Sequence, residues 1–201
     1  MQFISFFGKL NEDRMNLYFV DFPALKTSRL LLRQLENHDA EQIHKLRSDP
    51  AVNAYIGRSI STGVEEAAGF IKKITASIEH KQSMYWAISL REDAHLIGTI
   101  CYWNFDVEND TVEIGYEMLP EFQGRGLMTE AIKRVIEYGF EEMKVKTITA
   151  FPSADNTGSV ALLKNAGFKV TDKAYANSHQ NVSDQVAYAL TCPEVPAAHG
   201  V

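Results

Sequence analysis

The 201-residue chain has only two cysteines, Cys101 and Cys192, far apart and without a CxxC spacing. That argues against a disulfide scaffold or a paired-thiol redox motif, and the expected setting is the reducing cytoplasm. No apolar run approaches the roughly 20 residues that cross a bilayer, so no membrane partner is expected. The short opening Met1–Phe7 is followed, not preceded, by its charges at Lys9, Glu12, Asp13 and Arg14. A secretory leader puts positive charge first. There is no basic excess either. The formal charge is −6, which provides no electrostatic footprint for nucleic acid and mildly favours a cationic substrate such as an amine. The six histidines include no pair with zinc-site spacing, and no metal is expected. A P-loop and a three-glycine dinucleotide fingerprint are also missing, which disfavours ATP and NAD.

The rest is ordinary for a globular protein: 45% hydrophobic, 23% charged and 10% aromatic residues, without repeats or low-complexity stretches. The length suits one α/β domain. Residues 1–24 read as an N-terminal extension, 25–191 as the domain and 192–201 as a disordered tail. Met15 is a second methionine, and residues 1–14 read as dispensable. Arg29–Arg33 is the first expected strand. A short helix follows a cap at Asn37–Asp39 and ends at Asp49-Pro50. Ser61-Thr62 caps a second helix whose Val64, Ala67, Ala68, Ile71, Ile74 and Ile78 recur at helical spacing. Tyr85–Leu90, Leu96–Trp103 and Thr111–Leu119, joined by short polar turns, read as an antiparallel meander. A long helix starting near Gly126, a strand Thr147–Phe151, a helix Asn156–Asn165 and strands Phe168–Val170 and Asp184–Leu190 complete a mixed sheet covered by helices.

Between the meander and the long helix stands Gln123-Gly124-Arg125-Gly126-Leu127-Met128. Glycines let successive backbone N–H groups converge, and a helix start adds unpaired donors and the positive end of the dipole. Such a turn suits a pyrophosphate, with Arg125 adding a charge. Read alone, it is equally a plain strand-to-helix connection.

Its neighbours narrow the choice. Glu113-Ile114-Gly115-Tyr116-Glu117-Met118-Leu119-Pro120 leads into it, and Asn156-Thr157-Gly158-Ser159 through Ala166-Gly167-Phe168 follows about thirty residues later. Three blocks in this order resemble the GNAT N-acetyltransferase superfamily, in the branch of the ribosomal-protein N-terminal acetyltransferases. Lys26-Thr27-Ser28-Arg29-Leu30-Leu31-Leu32-Arg33 and Leu46-Arg47-Ser48-Asp49-Pro50 also look like that branch. The resemblance spans roughly residues 25–190. It implies a single α/β (α+β) domain whose splayed, mostly antiparallel mixed sheet has six to seven strands and about four flanking helices. It also implies acetyl-CoA as co-substrate, a direct transfer through a tetrahedral intermediate, and a homodimer as one assembly. Met118 and Leu119 would pair by backbone with the pantetheine arm. Gln123, Gly124, Arg125, Gly126, Leu127 and Met128 would form the pyrophosphate cradle, and Asn156 would reach the cofactor. Met128 stands where the family pattern ends in a small residue.

The acceptor must lose a proton, since amines with pKa about 8 to 10.4 are cationic at neutral pH. Glu113 on the fourth strand is the first candidate base and Glu117 the second; alternation puts both opposite Val112, Ile114, Tyr116 and Met118. A solvent-facing strand glutamate is the competing reading for Glu113. The oxyanion calls for a donor, most simply the strand N–H near Met118. Leu163 stands where many relatives carry an acidic tyrosine; the resemblance to the ribosomal branch, in which a serine aligns with Ser159, implies Ser159 as the group that faces the departing thiolate. Tyr116 and Tyr175 are less favoured. Trp103 and Phe105 are read as acceptor-pocket walls, and Cys101 as a buried strand residue rather than a nucleophile. The acceptor itself, a protein N-terminus or a small amine, depends on residues 53–62, the second helix and residues 174–183, which carry no motif that reads as a specificity code. Arg58, Asn177 and His179 are the residues expected to touch it if the last loop closes over the site. Two alternatives remain: a catalytically weak acyl-CoA-binding module of the same fold, and an unrelated nucleotide-binding α/β protein.

Overall fold

The computed structural model describes residues 14–175 and 184–193. Residues 1–13, most of the 174–183 loop with Asn177 and His179, and most of the tail lie outside the described residues.

Two short strands open the domain, β1 (Leu25–Lys26) and β2 (Leu30–Gln34). A 3₁₀ turn at Asn37–Asp39 leads into α1 (Ala40–Ser48). Asp49 and Pro50 end α1 as expected and then start another helix, α2 (Pro50–Asn53). The proline occupies the first helical position, and the Asp49 carboxylate accepts from the Val52 N–H at 2.9 Å. Then come α3 (Val64–Glu79) and the meander β3 (Met84–Leu90), β4 (Asp93–Asp106) and β5 (Thr111–Met118). The second half runs α4 (Leu127–Glu141), β6 (Thr147–Ala150), α5 (Thr157–Asn165), β7 (Lys169–Val170) and β8 (Tyr188–Thr191).

Among the described residues the eight strands form one sheet in the order β1-β2-β3-β4-β5-β6-β8-β7. Every pairing is antiparallel except β5 with β6, so the sheet is mixed and open as read, with the two-residue edge strand β1 and the extra helix α2 added. The last strand starts at Tyr188 rather than at Asp184.

Both faces of the sheet are covered. Strand alternation sends Trp86, Ile100, Tyr102, Val112, Ile114 and Met118 to the face of α4, which contributes Leu127, Ala131, Ile132 and Val135. Tyr85, Ala87 and Cys101 face the other way, onto Ile43 of α1 and Ala67, Ile71 and Ile78 of α3. Trp86 is fully buried, donates from Nε1 to Pro23 O at 2.8 Å and meets Phe22, Tyr102 and Tyr138 edge-on or tilted. Residues ahead of β1 therefore belong to this packing. The Met15 N–H donates to Asp110 Oδ1 at 2.8 Å, and the Asn16 N–H to Met143 O at 2.7 Å.

One break in this sheet makes room for chemistry. β5 pairs with β6 only through Thr111, Val112 and Glu113, whose partners are Thr147, Ile148 and Thr149. From Ile114 to Met118 it keeps β4 alone. The two parallel strands diverge, and a wedge opens between them.

Candidate active site

The backbone register decides which groups face the wedge. The Leu119 N–H donates to Ile97 O at 2.9 Å, so by antiparallel alternation Glu117, Gly115 and Glu113 exchange hydrogen bonds with β4. Ile114, Tyr116 and Met118 turn their N–H and C=O groups to the other edge, where β6 has left. These are the strand donors expected near Met118. Leu119 departs from expectation. Its N–H is committed to Ile97, and its carbonyl accepts from Phe122 N–H at 3.0 Å, because the chain has already turned into the 3₁₀ segment Pro120–Phe122. A backbone pairing of Leu119 with an extended ligand is thus blocked on the donor side.

The Gln123–Met128 loop sits at the mouth of the wedge. The Gln123 side chain reaches back, Nε2 donating to Met118 O at 2.7 Å. Gly124 and Gly126 hold φ of 71° and 74°, the left-handed region that a Cβ disfavours, and so curl the chain into a concave turn. Gly126 is the N-cap of α4 and no side chain caps that helix, which leaves the N–H donors of its first turn, beginning at Leu127 and Met128, to an external acceptor. The Arg125 side chain lies outside the curl, its guanidinium 5.7 Å from the Phe122 ring centre.

At the inner end of the wedge a cavity of about 110 Å³ brings Glu113, Tyr116, Asn156 and Ser159 together. Asn156 is the N-cap of α5, its Oδ1 accepting from Ser159 N–H at 3.0 Å. The cap fixes the first turn of α5, and with it the Ser159 hydroxyl, which lies 2.7 Å from Tyr116 Oη. Burial pushes the Tyr116 phenol up to about 12, although the Ser159 hydrogen bond pulls the other way. At neutral pH the pair therefore keeps its protons. Leu163 is fully buried beneath it.

Glu113 is 2% exposed, and the Asn104 amide donates to its Oε2 at 2.7 Å. Asn104 lies at the irregular end of β4 with φ of 46°. The bulge also breaks side-chain alternation. Trp103 packs with the α1–α3 cluster and against Gly115, whereas Phe105 joins the α4 cluster. Neither borders the cavity, and the structure does not bring the two together as walls of one pocket. The wall on the α2 side is Tyr55 and Ile56. Glu117 is occupied elsewhere: Arg58 Nη2 reaches it at 2.6 Å while Arg58 Nε donates to Asn53 at 2.6 Å. Arg58 thereby holds the Tyr55–Ile56 loop against β5. Cys101 is buried, and burial pushes its thiol up, with Glu117 and Glu113 adding to the effect, so it is a poor nucleophile.

Sequence reasoning missed Asn104, and it named the 53–62 loop for the acceptor without singling out Tyr55 and Ile56. Asparagine between two aromatics in a strand is a weak sign of a left-handed bulge. The loop residues carry no signal beyond an aromatic in a polar stretch. Among the described residues no group of His, Cys, Asp and Glu could hold a metal ion, and no helix is long and apolar enough to cross a membrane.

A family model described as an acetyltransferase (GNAT) domain matches residues 29–169, the stretch that contains the diverging strands and the glycine cradle. The chain belongs to the GNAT acetyltransferase family. The uncharacterized N-acetyltransferase YoaA of Bacillus subtilis is 33% identical over 174 residues, which span 86% of this chain and 98% of YoaA. A GNAT-family acetyltransferase from Bacillus anthracis superposes with a TM-score of 0.71 at 27% identity, covering 84% of this chain and 98% of that one. RimL, a ribosomal-protein alpha-N-acetyltransferase solved in complex with coenzyme A, shares the fold at 18% identity, with a TM-score of 0.69 over 84% of this chain and 98% of its own. This acetyltransferase thus combines a GNAT frame with a leucine, not a tyrosine, at position 163.

Proposed function

We propose that this acetyltransferase moves an acetyl group from acetyl-CoA directly to a primary amine, either a protein N-terminus or a small-molecule amine. The observation that carries the reading is the continuity of three features: the uncapped glycine cradle, the unpaired edge of β5 and the cavity holding Glu113 and Ser159. An extended pantetheine arm laid along Tyr116 and Met118 would run from the first to the last. The pyrophosphate would rest on the N–H groups from Gly124 to Met128. The bound thioester would bring the electrophilic carbon to the cavity, with a strand N–H polarising its oxygen.

The amine enters past Tyr55 and Ile56. Glu113 takes one proton from the ammonium, directly or through one water, and the neutral nitrogen forms the new C–N bond. The second proton, which the nitrogen sheds as the amide forms, goes to the departing sulfur. The tetrahedral intermediate collapses with cleavage of the C–S bond. With Tyr116 donating to Ser159, the serine hydrogen is left to face the departing sulfur, and the positive end of α5 adds to the stabilisation of the thiolate. These two hydroxyls take the place of the tyrosine that Leu163 replaces. The cytoplasm and a homodimer fit this reading without deciding between acceptors.

A screen for free thiol tests it, with acetyl-CoA against amino acids, polyamines, aminoglycosides and peptides bearing different N-termini. Thiol release with one acceptor class, matched by acetylated product, is the expected outcome. Coenzyme A affinity without release for any amine would instead favour a binding module.

A further inference from the structure

The Lys26–Arg33 block and the Gln123–Ala131 block lie far apart in sequence and meet in space. The turn between β1 and β2 is closed by Thr27, whose N–H donates to Leu30 O at 3.0 Å while its hydroxyl accepts from Leu30 N–H at 2.9 Å. This presents Thr27, Ser28 and Arg29 together to Glu130 in the first turn of α4. Glu130 Oε1 accepts from the Thr27 hydroxyl, from Ser28 Oγ at 3.0 Å and from Arg29 N–H at 2.8 Å, and Oε2 accepts from Arg29 Nε at 2.7 Å. Burial opposes ionisation of Glu130, but these bonds, led by that of Thr27, outweigh it and hold the carboxyl at about 2. The guanidinium is therefore gripped by a permanent anion on one side. On the other, its Nη1 donates to Arg125 O at 3.1 Å, inside the cradle. Its Nη2 stands at the cradle rim, 3.7 Å from where a Cβ on Gly126 would be.

We propose that Arg29 is a phosphate-binding residue of the cofactor site, aimed by Glu130 and Thr27, and that it, rather than Arg125, supplies the fixed positive charge of the cradle. The proposal rests on the acetyl-CoA reading above. A guanidinium has five N–H donors in a rigid fork. Nε and Nη1 hold the fork in place, and Nη2 presents its donors beside the N–H groups of the glycine turn. Glu130 alone would put a negative charge at the start of α4, where it competes with a phosphate for the helix dipole. Pairing with Arg29 cancels that charge. Both arginines are exposed, but Arg29 is held by Glu130 whereas Arg125 leans only on the Phe122 ring, so of the two it is Arg29 whose charge has a fixed aim.

Calorimetric titration tests the assignment with coenzyme A, dephospho-coenzyme A and the phosphate-free thioester acetyl-pantetheine. Wild type, Arg29→Ala, Arg29→Gln and Arg125→Ala are compared at two salt concentrations, with melting curves to confirm folding. Arg29→Gln keeps hydrogen-bond donors but removes the charge, so it serves if Arg29→Ala does not fold. Loss of one charge-assisted phosphate contact is expected to raise the Kd for coenzyme A roughly tenfold or more, to flatten its salt dependence and to leave acetyl-pantetheine unchanged. Arg125→Ala should cost less. A loss shared by dephospho-coenzyme A puts Arg29 on the pyrophosphate; a loss confined to coenzyme A puts it on the 3′-phosphate. Equal weakening of acetyl-pantetheine would reduce Arg29 to a structural brace and overturn the proposal, as would an unchanged Kd for coenzyme A. If the wild-type chain does not bind coenzyme A at all, the cofactor reading and this one fail together.

Discussion

Glu113 and Ser159 reach the same cavity from different elements, Glu113 accepting from the Asn104 amide and the Ser159 hydroxyl bonded to Tyr116. Replacing Glu113 with glutamine keeps the shape and removes the proton acceptor. Activity at pH 7 should fall by about 10²–10⁴ and recover partly at higher pH, where the amine loses its proton unaided. An unchanged pH–rate profile would remove Glu113 from that role. Ser159→Ala and Tyr116→Phe act on one hydrogen-bonded unit. Each should lower kcat about tenfold with little change in the KM for acetyl-CoA, and the double variant should lose little more than the worse single one. Fully multiplicative losses would show that the two hydroxyls act separately. Sequence motifs were enough to single out both Glu113 and Ser159. Their hydrogen-bond partners were less legible. The role of Asn104 depends on a positive φ at a bulge, and the preference for Ser159 over Tyr116 dissolves once the two hydroxyls are seen to be bonded.

At the scale of elements, the site depends on β5 staying paired with β4 after it has parted from β6. Gly98 guards this pairing: a Cβ there would lie 2.6 Å from Glu117 O and 3.1 Å from Met118 Cα, both backbone atoms that cannot swing aside. Gly98→Ala should therefore destabilise the fold by about 1–3 kcal/mol and also weaken coenzyme A binding, because the displaced strand carries the wedge-facing Met118. Chemical denaturation and a binding titration check the two effects; a variant as stable as wild type would contradict the packing argument. The long amphipathic helices α3 and α4 and the meander were legible because period and length reinforce each other there. The two-residue strand β1 is too short to carry a period, and β8 was misplaced because its apolar positions begin within a turn-like stretch. The splay itself was implied by the family resemblance, but no local pattern placed it after Thr149; that depends on how two parallel strands twist around different neighbours.

Over the whole molecule, two acidic groups tie distant segments together. Glu130 joins α4 to the β1–β2 turn. Asp110 joins the Met15 N–H, the Arg14 side chain and Lys146 at the start of β5. Burial opposes ionisation of Asp110, but Lys146 and Met15 outweigh it and hold its carboxyl below the usual range. Both folded-state values lie below the unfolded ones. The stability they contribute is thus fully present above the unfolded pKa, 4.5 for Glu130, and is lost as pH falls toward about 2. The Tm should be nearly flat from pH 8 to about pH 5 and drop steeply below it. A Tm that holds level down to pH 3 would show that these carboxylates do not staple the fold.

The central claim is direct transfer of acetyl from acetyl-CoA to an amine across the β5–β6 wedge. A single-turnover reaction with acetyl-labelled acetyl-CoA, quenched over time and read by intact-protein and product mass spectrometry, tests it most directly. The account predicts label on the acceptor nitrogen, free thiol in equal amount and no labelled protein at any time. Acetyl label appearing first on the protein, or cofactor that stays intact beside every amine offered, would contradict it.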